Sequence, residues 1–122
     1  VANKSHFVYG LDDIKIGDRL VVVEGVFDCE RLRHYGYKAV SILGSHISDI
    51  QVWKILSKEP ESIFLMFDGD EAGRGGAFDA EHIFRARCPS MAWRILRVSM
   101  PDGKDPDDLT KVEIANRLLF EP

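Results

Sequence analysis

The stretch that decides the fold is FLMFDGDEAGRGGA, which runs from Phe64 to Ala77. It opens with four apolar residues, and Asp68-Gly69-Asp70 follow them directly. A short continuous apolar run is typical of a strand that is buried on both faces of a parallel sheet. Two carboxylates separated by one glycine repel each other, so a group of opposite charge has to offset that repulsion. The stretch therefore predicts a buried strand that ends at a functional site.

Strand-like and helix-like segments alternate along the rest of the chain. Short apolar runs predict strands at residues 20–23, 39–43, 63–67 and 92–98. Amphipathic segments predict helices at residues 28–35, 48–58, 75–87 and 111–120. Alternation of this kind indicates an α/β fold, Rossmann-like, with about four mainly parallel strands flanked by helices. Trp53 and Trp93 are expected in its core.

Length and composition indicate one domain with an ordinary polar surface. The chain has 122 residues, of which 45% are hydrophobic, so a sizeable core can form. It has no run of about 18 apolar residues and no basic segment followed by an apolar one at its start, so we expect neither a membrane span nor a secretory signal. Cys29 and Cys88 have no CxxC partner and are expected to be reduced thiols, which predicts a cytoplasmic protein.

Acidic residues follow three of the four predicted strands. Glu24 comes directly after the first strand, Asp68 and Asp70 after the third, and Asp105 and Asp107 after the fourth across a short loop. Parallel strands end at the same edge of a sheet, and ligands bind at that edge in open α/β folds. We therefore expect these side chains to lie close together.

A divalent cation is the partner that best offsets such a group of carboxylates. Without one, they need salt bridges or raised pKa values, and Arg74 and Lys104 can neutralise only part of the charge. Mg²⁺ prefers carboxylate oxygens and is commonly shared between a few acids and a substrate phosphate. We predict a Mg²⁺ or Mn²⁺ site, in which Gly69 lets the backbone turn so that Asp68 and Asp70 both reach the ion.

These motifs, in this order and at these spacings, resemble the Toprim domain, and within it the version found in bacterial and phage primases. The matching motifs are Glu24-Gly25 with Asp28, Leu43-Gly44-Ser45, Asp68 to Gly73, and Pro101 to Asp107. The resemblance covers residues 19–109, and Tyr9-Gly10-Leu11 is similar to the segment that precedes the Toprim domain in primases. It implies a Toprim catalytic domain at residues 19–122 and, at residues 1–18, a segment leading in from a preceding primase region.

The resemblance also implies a role for each motif residue. The implied catalytic residues and metal ligands are Glu24, Asp68 and Asp70. The implied supporting ligands are Asp28, Asp105 and Asp107. Whether Glu24 binds metal or accepts the proton of the attacking hydroxyl stays open at this point. The candidate substrate contacts are Gly25, Gly44, Ser45, Arg74 and Lys104.

The activity implied by the resemblance is the synthesis of RNA primers on single-stranded DNA. In that reaction a divalent metal assists a 3′-hydroxyl in attacking the α-phosphate of a ribonucleoside triphosphate. A net charge of −4 argues against tight nucleic-acid binding by this segment alone, because such domains are usually basic. We therefore expect part of a longer enzyme, with a basic neighbour to grip the template and with zinc-binding and helicase domains or proteins as partners.

Three other functions stay open on the sequence alone. Topoisomerases contain a related Toprim module, but they need a tyrosine nucleophile from another domain. Their type IA version usually reads DREGE after its DxD pair, where this chain has Glu71-Ala72-Gly73. Nucleases of the OLD-like or RNA-maturing kind share the fold and use metals to activate water. A non-catalytic binding module is the third alternative.

Overall fold

The fold is a four-stranded parallel sheet with helices on both faces, as seen in a computed structural model that describes residues 4–122. The strands are β1 (Arg19–Val23), β2 (Lys38–Ser41), β3 (Ser62–Leu65) and β4 (Ile95–Arg97). The helices are α1 (Val26–His34), α2 (Asp49–Leu56), α3 (Glu71–Arg87) and α4 (Lys111–Leu118). Short 3₁₀ helices lie at Lys4–His6, Leu11–Asp13, Pro89–Arg94 and Pro106–Asp108. The predicted α/β class and parallel sheet are confirmed.

The strand order β2-β1-β3-β4 places β1 and β3 side by side in the middle of the sheet. Every residue from Leu20 to Val23 is fully buried, which explains the continuous apolar run in the sequence. In the parallel register between the two strands, Val22 lies opposite Leu65. Because β1 and β3 run in the same direction and end at the same level, the residues that follow them emerge next to each other.

Alternate residues of β1 pack against different helices. Leu20 and Val22 belong to a core shared with α2 and α3. Val21 and Val23 belong to a second core shared with α1 and α4. Full burial of an aliphatic side chain of this size contributes about 1.5–3 kcal/mol before the entropy of ordering is counted. Packing on both faces therefore makes the sheet a rigid support for its carboxyl edge.

Within residues 4–122, none of the helices combines the length and the apolar character that a bilayer crossing requires.

Both cysteines are free thiols. Cys29 is fully buried in α1, and its thiol donates a hydrogen bond to the carbonyl oxygen of Ala39 at 3.4 Å.

Trp53 and Trp93 are exposed, so the prediction that they belong to the core is wrong. Their exposed fractions are 71% and 77%. In α2 an interior position two residues before Trp53 is taken by Gln51, which is fully buried. Its side-chain amide donates to the carbonyl oxygens of Phe7 and Ile42, at 2.8 and 2.9 Å. A polar residue whose hydrogen bonds are made inside can occupy the core, and the helix then leaves Trp53 on its outer side.

The helix α3 begins at Glu71, four residues before the predicted start at Gly75. Asp70 is the reason, because its carboxylate accepts a hydrogen bond from the Gly73 N–H at 2.7 Å. An aspartate in this position caps a helix by satisfying one of the N–H groups that the first turn leaves free. The glycines predicted to open the helix therefore lie inside its first two turns.

The strand β4 is shorter than the predicted strand at residues 92–98. Pro89–Arg94 forms a 3₁₀ helix instead, with proline in its first turn, where its missing N–H is not needed. The other predicted elements overlap the observed ones, and their ends differ by one or two residues. The spacing of apolar residues thus located each helix and strand. Local capping decided where the helices start.

The described part of the N-terminal segment packs on the sheet. Val8 and Ile14 are buried in the core that includes α2 and α3. Tyr9 pairs antiparallel with Ser41 of the outer strand β2, through backbone hydrogen bonds of 2.9 and 3.0 Å. This pairing covers part of the free edge of the sheet. Residues 1–3 lie outside the described part, and the predicted division at residue 18 stays a prediction.

The helix α3 approaches the loop after β2 so closely that only glycine fits at the contact. A Cβ on Gly76 would lie 2.0 Å from the carbonyl oxygen of Ser45. A Cβ on Gly75, one residue earlier in the same helix, would meet nothing within 4 Å. The close approach at Gly76 holds the start of α3 against the carboxyl edge of the sheet.

We expect Gly76→Ala to lower the free energy of unfolding by about 1–3 kcal/mol, because the added methyl group pushes α3 away from Ser45. Gly75→Ala is the matched control and should be neutral or stabilising by up to about 1 kcal/mol, since alanine is the better helix former. Urea denaturation followed by circular dichroism measures both changes. Equal stability of the two variants would contradict the close packing at Gly76.

Candidate metal centre

Three carboxylates from distant parts of the chain converge at the carboxyl edge of the sheet. They belong to Asp28 in the first turn of α1, Asp68 after β3 and Asp105 after β4. One ligand oxygen of each lies within 4.8 Å of the others. Three oxygens at this spacing can coordinate a single cation. Of the five acids expected to lie close together, Asp68 and Asp105 belong to this cluster, and the implied supporting ligand Asp28 joins them.

Asp68 has the least satisfied carboxylate of the group. Its backbone N–H donates to the Glu24 carboxylate at 2.7 Å, which ties the end of β3 to the end of β1. Its Oδ1 atom is buried and has no hydrogen-bond partner among residues 4–122. A buried carboxylate oxygen without a partner costs free energy unless a cation or a proton offsets its charge.

Glu24 lies half-buried beside Asp68, and its backbone is held from two sides. Its carbonyl oxygen accepts a hydrogen bond from the Ser41 hydroxyl at 2.8 Å and another from the Gly44 N–H at 3.0 Å. Together with the bond between its carboxylate and the Asp68 N–H, these contacts fix both ends of the residue. The Glu24 side chain is thus positioned beside the three-acid cluster without belonging to it.

Asp28 and Asp105 are brought together by the acidic loop. Asp28 is only 6% exposed, and its Oδ1 accepts a hydrogen bond from the Asp107 N–H at 3.0 Å. Asp105 caps the short helix Pro106–Asp108 through reciprocal bonds with Asp108, at 3.1 and 3.0 Å. This capping box stiffens the loop and presses it against α1.

Asp70 and Gly69 have structural roles that the sequence analysis did not foresee. Asp70 caps α3 through its Oδ1, as described above, and lies outside the three-acid cluster. Gly69 makes room for the acidic loop, since a Cβ there would lie 2.0 Å from the Pro101 carbonyl oxygen. The Gly69 N–H donates to the Lys104 carbonyl oxygen at 2.8 Å. The glycine of the motif is thus needed for a close approach between loops rather than for a turn alone.

The charged residues around the cluster are held in exposed ion pairs. Arg74 pairs with Asp102 at 3.2 Å, and Arg31 pairs with the predicted ligand Asp107 at 2.9 Å. Lys104 is exposed. Exposed pairs of this kind contribute little to stability, so their members can exchange partners when a ligand arrives.

The cluster opens into a cavity of about 570 Å³. Further predicted residues in its walls are Glu24, Gly25, Gly44 and Asp107. Four predicted residues are not part of the walls that the described residues form, namely Ser45, Asp70, Arg74 and Lys104. Arg74 instead lines a neighbouring cavity of about 440 Å³, in which Asp68 also takes part.

Three residues in the walls of the larger cavity were missed by the sequence analysis. They are Val26, Phe27 and Leu43. Each is adjacent in sequence to a predicted glycine or aspartate of the rim, and that adjacency is the signal that could have found them. Phe27 is unusual among them because its side chain is 80% exposed.

Burial and mutual repulsion raise the pKa values of the clustered acids. Burial, together with the charges of Glu24, Asp105 and Asp70, raises the pKa of Asp68 to about 7. Burial also raises the pKa of Asp28 to about 7, although the hydrogen bond from the Asp107 N–H opposes the change. Burial likewise raises the pKa of Glu24 and that of Asp105.

The donor set fits a hard divalent cation. All donors are carboxylate oxygens, which such ions prefer, and the buried Oδ1 of Asp68 has no other partner among the described residues. Within residues 4–122, no lysine or arginine forms an ion pair with Asp28, Asp68 or Asp105. A divalent ion would therefore remove the repulsion that these carboxylates otherwise relieve by binding protons.

Known proteins resemble this chain in sequence and in structure. The Toprim-like family matches residues 21–110. The DNA primase of Clostridium acetobutylicum is 30% identical over 115 residues, covering 91% of this chain and 18% of the relative. The DNA primase of Escherichia coli strain K12 is 34% identical over 120 residues, covering 93% and 20%. A crystal structure of a DNA primase domain from Pseudomonas aeruginosa has a TM-score of 0.80 at 29% identity, covering 99% of this chain and 40% of that one.

The fold, the acidic edge and these similarities together identify the chain as a Toprim module. The chain belongs to the Toprim-like family. The resemblance to the primase version of the domain is confirmed, because the relatives described above are DNA primases. The chain spans about a fifth of the length of these curated relatives.

We expect the metal-free chain to lose stability as the pH rises from about 5 to about 8. Asp28 and Asp68 have folded pKa values of about 7, above their ordinary value of 3.8. Between these values the folded chain binds more protons than the unfolded chain, so the free energy of unfolding falls with rising pH. The loss should be on the order of 1 kcal/mol for each group once solvent screening is allowed for. Urea midpoints in the presence of EDTA measure it.

The substitution Asp28→Asn is the specific check of this pH dependence. Asparagine keeps an oxygen that can accept the Asp107 N–H but removes one charge, so the variant should be more stable than the native chain at about pH 8 and less sensitive to pH. Asp79→Asn, on the exposed face of α3, is the control and should retain the native pH dependence. A native urea midpoint that stays constant or rises over this range would contradict the raised pKa values.

Proposed function

We propose that this chain is the catalytic domain of a DNA primase, which joins ribonucleotides into RNA primers on single-stranded DNA with Mg²⁺ or Mn²⁺ bound. The observation that supports the proposal most strongly is the convergence of Asp28, Asp68 and Asp105 in a chain whose relatives are DNA primases. Residues 19–122 would form the catalytic domain, and residues 1–18 would lead in from a preceding primase region.

We assign the ligand positions by how free each carboxylate is. Asp68, whose Oδ1 has no hydrogen-bond partner in the part of the chain that the structure describes, is the central ligand, and Asp28 and Asp105 complete the set. Asp70 can contribute only its second oxygen, because Oδ1 caps α3. Asp107 can contribute after it leaves Arg31, which costs little because that ion pair is exposed.

Asp28, Asp68 and Asp105 would hold the divalent ion, and such an ion would supply Lewis-acid polarisation of the phosphate and would lower the pKa of the attacking hydroxyl. Glu24 is suited to accept the proton of that hydroxyl. Burial raises its pKa, so its carboxylate is a stronger base than that of an exposed glutamate. The hydrogen bond of 2.7 Å from the Asp68 N–H to the Glu24 carboxylate fixes the orientation of the Glu24 side chain beside the cluster. Its place at the side of the three-acid cluster favours the role of proton acceptor over that of metal ligand.

Four of the remaining predicted residues are assigned to the substrate. Gly25 and Gly44 line the cavity and allow a nucleotide to approach the backbone. Arg74 and Lys104 lie nearby in exposed positions, where they can reach the phosphates of a ribonucleoside triphosphate or of the template. Ser45 does not line the cavity that the described residues form. Its carbonyl oxygen packs against Gly76 and so positions α3.

The proposed partners follow those of similar proteins. One similar solved structure is a DnaG primase catalytic domain bound to ssDNA. Another contains the zinc-binding and RNA polymerase domains of the Aquifex aeolicus primase, and a third is the primase fragment of the bacteriophage T7 primase-helicase protein. We propose single-stranded DNA and ribonucleoside triphosphates as substrates, and zinc-binding and helicase domains or proteins as partners.

Asp68→Asn tests the proposal in two assays. In this chain, calorimetric titration with Mn²⁺ should give an affinity at least about tenfold weaker, since even the outer partners of metal ligands contribute that much. In the full-length primase, synthesis of labelled RNA on a single-stranded DNA template should be lost. Asp79→Asn is the matched control and should retain both properties, because it changes the same side chain far from the acidic edge.

Normal primer synthesis by the Asp68→Asn primase would remove the assignment of the metal centre. The same assay separates the proposed function from that of a nuclease. Lengthening of a labelled RNA supports a primase, whereas metal-dependent shortening of the DNA strand would replace it with a nuclease. Absence of any metal-dependent change would favour a binding module.

A further inference from the structure

We propose that the outward face of α1 binds a single strand of nucleic acid beside the candidate metal centre, with Phe27 stacking on one base. This α1 outer face consists of Phe27, Arg31, His34 and Tyr35. The inference rests on the proposed function and deepens it, because an acidic catalytic centre needs a nearby surface that holds the strand.

Helical spacing puts these four residues on one side of α1. Residues three or four positions apart are neighbours on a helix surface. The opposite side of the helix buries Asp28, Cys29 and Leu32. The helix thus turns its acid toward the metal centre and Phe27, Arg31 and His34 toward solvent. Tyr35, at the C-terminal end of the helix, is half-buried against the second core. From Phe27 to His34 it rises by about 10 Å, the length of about three stacked nucleotides at about 3.4 Å each.

Phe27 forms a ridge between the cavity of the metal centre and a second groove. Its side chain is 80% exposed. On one side it lines the cavity of about 570 Å³ together with Asp28 and Asp68. On the other it lines a groove of about 370 Å³ together with Arg31, His34 and two acids, Glu30 and Asp107. A ring in this position can stack on a base whose phosphate lies at the metal centre, and stacking is available to every base because each has a π face.

The far end of the α1 outer face combines basic and aromatic groups. The Arg31 guanidinium lies over the Tyr35 ring at 5.9 Å, and the His34 and Tyr35 ring centroids are 5.5 Å apart. Arg31 also pairs with Asp107, and the two side chains are 42% and 40% exposed, so a phosphate can compete for the guanidinium. Aromatic rings interleaved with basic groups are characteristic of surfaces that bind single-stranded nucleic acid.

Both acids of this groove, Glu30 and Asp107, are already engaged. The Glu30 carboxylate accepts a hydrogen bond from the Tyr9 hydroxyl at 2.9 Å and lies 3.6 Å from the Arg33 guanidinium. The charge of Glu30 is therefore partly balanced by Arg33, and that of Asp107 is balanced by Arg31. With these charges paired, the face would hold a strand mainly by stacking on Phe27.

Three features favour a strand over a mononucleotide or an apolar protein partner. The face is continuous with the cavity that holds the clustered acids. It carries cationic groups, which an apolar partner would have to bury at a cost. Its length exceeds that of one nucleotide.

Phe27→Ala should weaken binding of a short labelled oligothymidylate to this chain by about tenfold. Fluorescence anisotropy, measured in parallel with Mg²⁺ and with EDTA, gives the affinity. Phe27→Trp should retain native affinity, because the larger ring also stacks. Trp93→Ala is the control, since it removes another aromatic side chain, 77% exposed, at the opposite end of the sheet. It should bind as the native chain does.

Native affinity of Phe27→Ala, with circular dichroism showing a folded chain, would overturn the inference. So would an equal loss in Trp93→Ala, which would point to general surface stickiness, or a failure of the native chain to bind the oligonucleotide at all. A parallel titration with ATP separates a strand-binding site from a mononucleotide site. If Phe27→Ala weakens binding of ATP but not of the oligonucleotide, Phe27 belongs to a mononucleotide site and the proposal of strand binding is overturned.

Calorimetric titration of Phe27→Ala with Mn²⁺ keeps this inference apart from the proposed function. Phe27 offers no ligand atom, so the affinity for Mn²⁺ should equal that of the native chain. Native Mn²⁺ binding together with native oligonucleotide binding by Phe27→Ala would overturn the inference alone. Absence of Mn²⁺ binding by the native chain would overturn the metal centre, whereas oligonucleotide binding that depends on Phe27 would still support the α1 outer face.

Discussion

The repulsion between the carboxylates of Asp28, Asp68 and Asp105 is the constraint on which the rest of the site depends. Their oxygens lie within 4.8 Å of one another, and no lysine or arginine among the described residues pairs with them. Burial at this edge disfavours charge, so the two most buried acids have pKa values of about 7. The fold holds the acids in an arrangement that is unfavourable without a cation and favourable with one, as expected of a preorganised metal site.

The sheet and two glycine contacts maintain this arrangement. β1 and β3 end side by side, and the hydrogen bond between Glu24 and the Asp68 N–H joins their ends at 2.7 Å. Gly69 lets the acidic loop approach within a distance that any side chain would block, and Gly76 does the same for α3. Because these approaches are set by the backbone, the segments that carry the acids stay next to one another whatever rotamers the side chains adopt. Stability given up at the acidic edge is offset by apolar burial on both faces of the sheet.

Much of the fold was predictable from sequence because it depends on patterns within single segments. The apolar runs that end at Glu24 and Asp68 located β1 and β3, and the rule that parallel strands share an edge predicted the meeting of the acids. The roles of Gly69 and Asp70 were not predictable in this way. Gly69 is defined by a contact with Pro101, and Asp70 by the start of a helix, so both depend on structure beyond the motif. Trp53 was misplaced because a hydrogen-bonded glutamine occupies the core in its stead.

Diffraction from crystals soaked in Mn²⁺, recorded where manganese scatters anomalously, tests the metal centre most directly. A cation that joins the three segments should give an anomalous peak in contact with oxygens of Asp28, Asp68 and Asp105, and the buried Oδ1 of Asp68 should be among its ligands. A peak found only at exposed acids such as Asp102, or carboxylates seen apart and paired with arginine or lysine, would contradict it.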